Sequence, residues 1–308
     1  MIENISPIWF YIAAFIFGSI IGSFINVLIY RLPLEMDVVF KPSFCPKCKT
    51  PIKWYHNIPI LSYLYLRGRC AYCKGEISIQ YPIVEFITAV SFLFFYMKFG
   101  LSWDFMILVL LYTISLPILV IDYKYRIIPD ELSIGGAILG LIVSIFYTFK
   151  MPESNLFISN GLVDSFLGIV VGIMIFGGIY VVSFIVFRKE GIGLGDLKFA
   201  CTIGAFLGLS SSVIAFFLSF IYGSLFGLII MAIKRIKTRK KLKLLSSLNN
   251  LNFSSDYLSS IVRAYIYINE IDELKSSYIA FGPYMVLGMW TSMFLSGFII
   301  EAFVGGEL

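Results

Sequence analysis

Charged residues are scarce in this chain of 308 residues: Asp, Glu, Lys and Arg together make up 14% of it. Soluble domains carry roughly 25%. Hydrophobic residues make up 59%, and several apolar runs reach the roughly 17 to 25 residues that cross a hydrocarbon core. The composition therefore excludes an ordinary soluble protein and indicates an all-α polytopic membrane protein.

Other chemistries are excluded by what is missing. The chain has one histidine, His56, so no Ser–His pairing is available beyond that residue. It contains no G-x-S-x-G elbow, no phosphate-binding loop and no G-x-G-x-x-G dinucleotide fingerprint. The N-terminal stretch has neither a basic region nor a small-residue cleavage site, so we expect a retained first span and not a signal peptide.

The apolar runs predict about eight transmembrane helices. Of the 24 Lys and Arg, 22 fall on one side of them, so the positive-inside rule places that side in the cytoplasm and both termini outside. The sixth span is short, and the break that follows it, at LGLSSS, is the weakest boundary. The predicted spans are 8–30, 83–100, 105–122, 132–149, 164–187, 197–209, 211–233 and 279–302.

The segments between the spans suggest a division of the chain into five parts. The polar segment 31–82 reads as a small cytoplasmic module. Segment 234–278 opens with the basic run KRIKTRKKLK, and its residues 257–270 are compatible with a short amphipathic surface helix. The parts are the first helix (1–30), the module (31–82), a membrane core (83–233), a basic insertion (234–278) and the last helix (279–308).

Two residue types in the first span predict helix packing. Gly18 and Gly22 form a small-xxx-small pair, which permits close approach of another helix. Asn26 is polar and lies within the span, so we expect it to hydrogen-bond to a neighbouring helix. A functional role for Asn26 is the less favoured alternative.

Four cysteines in the module predict a metal site. CPKC (45–48) and CAYC (70–73) are separated by 21 residues, a spacing that suits two knuckles around a tetrahedral ion. Cytoplasmic thiols stay reduced, and a structural metal supplies folding energy to a segment too small for a large core. We predict structural Zn²⁺ on Cys45, Cys48, Cys70 and Cys73, with iron the lesser option. His56 is an alternative ligand, although four thiolates already fill a tetrahedron.

Three aspartates stand at predicted span ends. Asp122 ends the third span, where the helix dipole disfavours a negative charge, so a functional role is favoured for it. Asp130 follows Pro129 and fits an ordinary helix start. Asp196 follows Gly191, Gly193 and Gly195 at the start of the sixth span. N-capping explains an aspartate there, but it does not explain three spaced glycines, which permit unusual backbone conformations and close chain approach.

Asp122 and Asp196 lie at the same predicted membrane surface. If their helices are neighbours, the two carboxylates share one pocket and one proton. Such a pair activates water against a carbonyl group, with one carboxylate as base and the other as acid. The sequence therefore favours aspartic peptide hydrolysis.

The chain resembles the type IV prepilin peptidases, which are bifunctional leader peptidases and N-methyltransferases. Its G-x-G-D element is similar to that of the wider intramembrane aspartyl proteases. The resemblance runs nearly end to end. It is carried by GSFINVLIYRLP (22–33), the two cysteine pairs, WYHNIPILSYLYLRGRC (54–70), YPIVEF (81–86), IDYKYRIIPDELS (121–133), GIGLGDLKFA (191–200) and FGPYMVLG (281–288).

The resemblance implies a function. Asp122 and Asp196 match the catalytic pair, and the cysteines match the zinc-binding segment. The enzyme would cut the basic leader of prepilins or pseudopilins after Gly, at the cytoplasmic face of the bacterial inner membrane. It would then methylate the new N-terminus with S-adenosylmethionine.

Four further residues are candidates for substrate or methyl-donor binding. Glu85 is a candidate for holding the N-terminal amine, although a helix-start role fits it equally well. Lys198 is placed to favour ionised Asp196, or else it extends to the membrane surface. Gly193 and Gly195 belong to the same set of candidates.

Two departures from the family pattern and three alternatives remain. His56 stands where the family has an acidic or other polar residue, and segment 234–278 is longer than expected. The alternatives are a peptidase without methyl transfer, a proton-coupled transporter that uses the two aspartates, and a non-catalytic scaffold. Both acids at one surface disfavour transport, and a scaffold would not need them.

Overall fold

The computed structural model describes residues 7–150, 159, 161–188, 191–249 and 280–304. Their regular structure is helical, apart from two isolated β-bridges. The helices are α1 (Pro7–Arg31), α2 (Leu61–Tyr65), α3 (Gln80–Phe99), α4 (Trp103–Tyr125), α5 (Asp130–Lys150), α6 (Leu162–Gly172), α7 (Gly178–Phe187), α8 (Leu194–Asn249) and α9 (Gly282–Val304). Short 3₁₀ turns lie at Leu32–Leu34 and Trp54–His56.

The predicted all-α membrane architecture is confirmed. Among the described residues, 6 helical stretches are long and apolar enough to cross a membrane. One of these, Leu194–Ile233, is broken at Gly208, whose φ of 71° is non-helical. The break falls at the LGLSSS boundary, so the predicted sixth and seventh spans are the two parts of α8. The 23-residue helix α9 occupies the position of the predicted last span.

The first span packs closely on α3, as the small-residue pair predicts. A Cβ atom on Gly22 would lie 2.7 Å from the Glu85 Cα, and one on Gly18 would lie 2.8 Å from the Ala89 Cα. The Asn26 side chain donates from Nδ2 to the Tyr81 carbonyl of α3 at 3.0 Å. The expected interhelical hydrogen bond of Asn26 is therefore confirmed.

Helix α8 is the centre of the membrane core, since it packs against α5, α6 and α9. It crosses α6 where Gly204 meets Gly168, and a Cβ atom on either glycine would overlap the backbone of the other. At the break, the Asp164 carboxylate accepts a hydrogen bond of 2.8 Å from the Leu209 N–H. That bond satisfies a backbone donor that the interrupted helix leaves without an intrahelical partner.

Helices α6 and α7 form one span that a π-helical turn, Ile173–Gly177, divides. Such turns are rare and widen the helix locally. The turn lies against α8 and carries Phe176, which is fully buried. The interior of the bundle around it is apolar, with Ile121, Phe199 and Met285 also fully buried.

The basic run after the last α8 span is helical. Helix α8 continues through it to Asn249. The proposed surface helix at 257–270, and the insertion beyond residue 249, lie outside the described residues. The division of the chain into five parts therefore stays a prediction.

The α6–α8 crossing generates a stability prediction. Gly204→Ala should destabilise the protein by about 1 to 3 kcal/mol, because its Cβ meets backbone atoms that cannot rotate away. Gly135→Ala is the matched control, since a Cβ there meets nothing within 4 Å. Thermal melting in detergent should show a lower midpoint for Gly204→Ala alone. Equal midpoints for the two variants would contradict the tight crossing.

Candidate active site and metal centre

Asp122 lies in the last turn of α4 and is 4% exposed. The helix ends at Arg126, whose left-handed backbone places its N–H on the Asp122 carbonyl at 2.9 Å. The Asp122 side chain turns to another helix, and its Oδ2 accepts a 2.8 Å hydrogen bond from the Gly282 N–H. Gly282 is the first residue of α9, so the carboxylate faces the positive end of that helix.

This contact explains how a carboxylate is tolerated at the C-terminal end of α4. The unfavourable field of its own helix is offset by the N-terminus of α9. A Cβ atom on Gly282 would lie 2.6 Å from Asp122 Oδ2, so the close approach requires glycine. The sequence contained a signal for this partner, because the second and third residues of FGPYMVLG are a Gly-Pro pair that is typical of a helix start.

Asp196 is the third residue of α8, which begins at Leu194. Its Oδ2 accepts a 3.2 Å hydrogen bond from the Gly193 N–H, and its own N–H donates to the Gly193 carbonyl at 3.1 Å. Gly193 is therefore the N-cap position, and Asp196 makes the return half of a capping box. The alternative role considered for Asp196, that of N-cap, therefore falls to Gly193, three positions earlier.

The glycines before Asp196 act through close approach. A Cβ atom on Gly195 would lie 3.1 Å from the Ile128 Cβ, so the segment after α4 packs onto the start of α8. Neither Gly193 nor Gly195 has a positive φ, so the expected unusual backbone conformation is absent at these two residues.

The structure brings the two carboxylates together. Asp122 and Asp196 lie near enough for their charges to interact. Their helices are brought together indirectly, because α4 packs mainly on α1, α3 and α9. Helix α9 packs on both α4 and α8 and joins them. Each carboxylate thus accepts a backbone N–H at a helix N-terminus, and the two helices that provide these groups are packed on each other.

An aromatic cluster holds the start of α9 in place. Phe281 directly precedes Gly282, and its ring lies 5.4 Å from Phe220 and 6.1 Å from Phe176. Phe176 also meets Phe216 edge-on at 5.2 Å. The π-helical turn therefore supports the Gly282 N–H that binds Asp122.

Lys198 lies two residues after Asp196 on α8 and pairs with Asp130. Its Nζ atom is 2.7 and 2.8 Å from the two Asp130 oxygens. Asp130 begins α5, as predicted, so the ion pair joins the start of α5 to the start of α8. Both side chains are more than one third exposed, and such pairs contribute modestly to stability.

The four module cysteines form one cluster. Their sulfur atoms all lie within 4.8 Å of one another, and Cys45 Sγ is 4.0 Å from Cys73 Sγ. Sulfur atoms about 2.3 Å from a tetrahedral zinc ion lie about 3.8 Å apart. The cluster therefore fits a tetrahedral thiophilic metal ion with little adjustment.

Two equivalent knuckles build this cluster. Lys49 N–H donates to the Cys45 carbonyl at 2.8 Å, and Lys74 N–H donates to the Cys70 carbonyl at 3.1 Å. Both lysines have a left-handed backbone, with φ of 59° and 58°. Each knuckle is closed by one isolated bridge, Phe44–Pro51 or Arg69–Glu76.

The knuckles also shift the pKa values of their thiols in opposite directions. Hydrogen bonds from the Thr50 side chain and backbone lower the pKa of the Cys48 thiol to about 6, and the thiolate is the form that binds metal. The Gly75 N–H lowers the pKa of Cys73, but desolvation and the hydrogen bonds shared with Cys48 and Cys70 outweigh it and raise that pKa to about 11. The thiols therefore share protons that a metal ion would displace.

Glu85 is placed away from the aspartates. It is the sixth residue of α3, so the helix-start alternative is wrong. Its side chain is 7% exposed, and Oε2 accepts a 2.7 Å hydrogen bond from the Ile60 N–H in the module. Ile60 has φ 60° and ψ −53°, a strained turn conformation. Glu85 therefore fastens a strained module loop to the membrane core.

Two family models match the chain. Residues 16–99 match the bacterial peptidase A24 N-terminal domain, and residues 106–228 match the type IV leader peptidase family. The two models meet between α3 and α4. They cover the cysteine cluster and both candidate aspartates.

Curated relatives give the same result. The chain is 31% identical to a Pseudomonas putida protein over 74% of this chain and 83% of the relative. It is 33% identical to a Neisseria gonorrhoeae protein over 72% and 82% of the two chains, and 33% identical to a Myxococcus xanthus protein over 64% and 56%. All three are named prepilin leader peptidase/N-methyltransferase. No solved structure shows significant similarity to this chain.

The cysteine geometry generates a metal-binding prediction. The purified protein should contain about one zinc ion per chain. Cys45→Ser and Cys70→Ser should each lose it, because three thiolates leave the tetrahedron open. Cys201→Ser is the control, since Cys201 lies in α8 outside the cluster. Elemental analysis by mass spectrometry checks all three, and zinc retained without Cys45 and Cys70 would overturn the assignment.

Proposed function

The chain belongs to the type IV leader peptidase family, and from that membership we propose that it is a membrane aspartic endopeptidase acting on type IV prepilins or pseudopilins. It removes their basic leader after Gly and N-methylates the new N-terminal residue with S-adenosylmethionine. The observation that carries the proposal is the pairing of Asp122 and Asp196, each held by a backbone N–H at a helix N-terminus.

The catalytic pair acts on a water molecule and the scissile carbonyl. One carboxylate accepts a proton from the water as it attacks the carbonyl carbon, and the other carboxyl group donates a proton to the carbonyl oxygen. Collapse of the tetrahedral species breaks the C–N bond, and the departing amine takes up a proton. Two neighbouring carboxyl groups suit this exchange, because like charges in close proximity favour a single shared proton.

The position of the pair suits a leader that approaches from the cytoplasm. Asp122 ends α4, Asp196 begins α8, and the cysteine module joins the end of α1 to the start of α3. The Lys124 side chain at the end of α4 donates to Gln80 at the start of α3, so these helix ends lie at one surface. That surface carries most of the Lys and Arg, which supports a cytoplasmic active site in the inner membrane.

Two bound groups complete the proposal. Zn²⁺ on Cys45, Cys48, Cys70 and Cys73 is structural, because four thiolates leave no open coordination position. S-adenosylmethionine supplies an electrophilic methyl group for the amine that cleavage releases. Methyl transfer forms an N–C bond as the S–C bond breaks, leaves the electron pair on sulfur and releases one amine proton.

Removal of either carboxylate should abolish cleavage. Asp122→Asn and Asp196→Asn keep the side-chain shape and remove the acid–base group, so leader removal should fall by about a thousandfold or more. Asp37→Asn is the control, because Asp37 is a module residue that caps a local turn. Mass spectrometry of a co-expressed prepilin measures the outcome. Cleavage that survives both substitutions would disprove the aspartyl mechanism and direct attention to Asp130.

The Gly282 contact generates a separate prediction. Gly282→Ala keeps the N–H group but places a Cβ atom against Asp122 Oδ2, so the carboxylate must move. We expect cleavage to fall by about tenfold or more, since small misplacements of catalytic groups are costly. Gly135→Ala is the control, and it should cleave and melt like the wild type because a Cβ there meets nothing within 4 Å. Normal cleavage by Gly282→Ala would show that the position of Asp122 is not critical.

A further inference from the structure

A cavity of about 350 Å³ lies between the cysteine module and the first two membrane helices. Asn26 and Tyr30 line it from α1, Tyr81 and Glu85 from α3, and Phe44 and His56 from the module. Neither Asp122 nor Asp196 lines it. Its volume falls in the range of roughly 300 to 1,000 Å³ that small-molecule sites occupy.

The cavity contains buried polar atoms without partners. Asn26 is 2% exposed, and its Oδ1 has no hydrogen-bond partner among the described residues. Its Nδ2 donates to the Tyr81 carbonyl, which fixes the orientation of the amide. His56 Nδ1 is likewise buried and unpartnered. Buried acceptors left unsatisfied cost free energy, so their presence in one cavity points to a ligand that donates hydrogen bonds.

Residues of both charge signs also line the cavity: Arg31, Lys47, Glu76 and Glu85. Glu85 is 7% exposed, and its Oε2 accepts the hydrogen bond from the Ile60 N–H. Arg31 lines the cavity too, but its guanidinium donates to the backbone carbonyls of Asp37, Lys41 and Pro42, each at 2.9 Å. Arg31 therefore holds the module loop, and the Glu85 carboxyl group offers further acceptor positions to a ligand that donates hydrogen bonds.

Aromatic rings complete the wall. Tyr30 meets Phe44 at 6.2 Å, and His56 meets Tyr72 at 6.1 Å, each pair edge-on. All four line the cavity. Such rings stack on a purine base and attract a cation through their faces. The wall suits a ligand that combines an aromatic base with a positive charge.

We propose that this cavity binds S-adenosylmethionine, with Asn26 and Glu85 as binding residues. The ligand is a sulfonium cation with an ammonium group, an adenine ring and an amine donor, which match the carboxylate, the rings and the open amide acceptor. The inference rests on the methyl transfer included in the proposed function. It separates the methyl-donor site from the aspartate pair.

One side-chain contact links the helices of the two sites. Tyr81 lines the cavity and follows Gln80, which accepts a hydrogen bond from Lys124 of α4. Lys124 lies two residues after Asp122. The Gln80–Lys124 contact therefore connects the helix that carries Asp122 to a helix that lines the cavity.

Binding of the methyl donor tests the proposal directly. Calorimetry would measure S-adenosylmethionine and S-adenosylhomocysteine binding to the full-length, zinc-loaded protein in detergent. Glu85→Gln and Asn26→Leu should each weaken S-adenosylmethionine binding by about tenfold or more, the loss expected for one charge-assisted or buried hydrogen bond. Glu85→Gln should weaken the binding of S-adenosylmethionine, which carries a sulfonium charge, more than the binding of S-adenosylhomocysteine, which does not. Asp122→Asn is the matched control, and it should bind like the wild type while cleaving nothing.

A second measurement needs no variant. Ultraviolet crosslinking of labelled S-adenosylmethionine to the wild type, followed by peptide mapping, should label peptides within residues 26–85. Label in residues 191–200 or 281–288 would overturn the proposal, as would unchanged affinity in both cavity variants. A preparation that cleaves prepilin but binds no methyl donor would also overturn it while leaving the peptidase function intact. A preparation that does neither would refute the proposed function itself.

Discussion

The hydrogen bond from the Gly282 N–H to the Asp122 carboxylate is the interaction on which the arrangement of the membrane core depends. It joins residues that lie 160 positions apart in sequence and fixes the end of α4 against the start of α9. Because α9 also packs along α8, the same contact sets where Asp122 stands relative to Asp196. The aromatic cluster around Phe281 includes Phe176 of the π-helical turn, and its ring contacts hold the start of α9 in position.

One physical rule recurs through the protein: a carboxylate is placed where a backbone N–H has no other partner. Asp196 binds the Gly193 N–H at the start of α8, and Asp164 binds the Leu209 N–H at its break. Glu85 binds the Ile60 N–H in a strained turn. In an apolar environment both an unpaired N–H and an isolated carboxylate are costly, so each pairing removes two penalties at once.

The sequence predicted the features that depend on local composition. Apolar runs located the spans, the glycine and serine cluster located the break in α8, and the cysteine spacing located the metal cluster. The partners of Asp122 and Lys198 were not predicted, because they come from elements remote in sequence. The capping-box contact of Asp196 was not predicted for a different reason: the spaced glycines concealed that the helix begins at Leu194.

The module and the membrane core are coupled through the cavity that they enclose. Cys45 and Cys70 line that cavity, and so do Asn26 and Glu85 of the membrane helices. Few module side chains are buried, so its shape depends on the metal cluster, on Arg31 holding the 37–42 loop and on Glu85 holding Ile60. The aspartate pair instead depends on α4, α8 and α9. The aspartate pair and the cavity are thus built on different supports, and the Gln80–Lys124 contact joins a helix of one to a helix of the other.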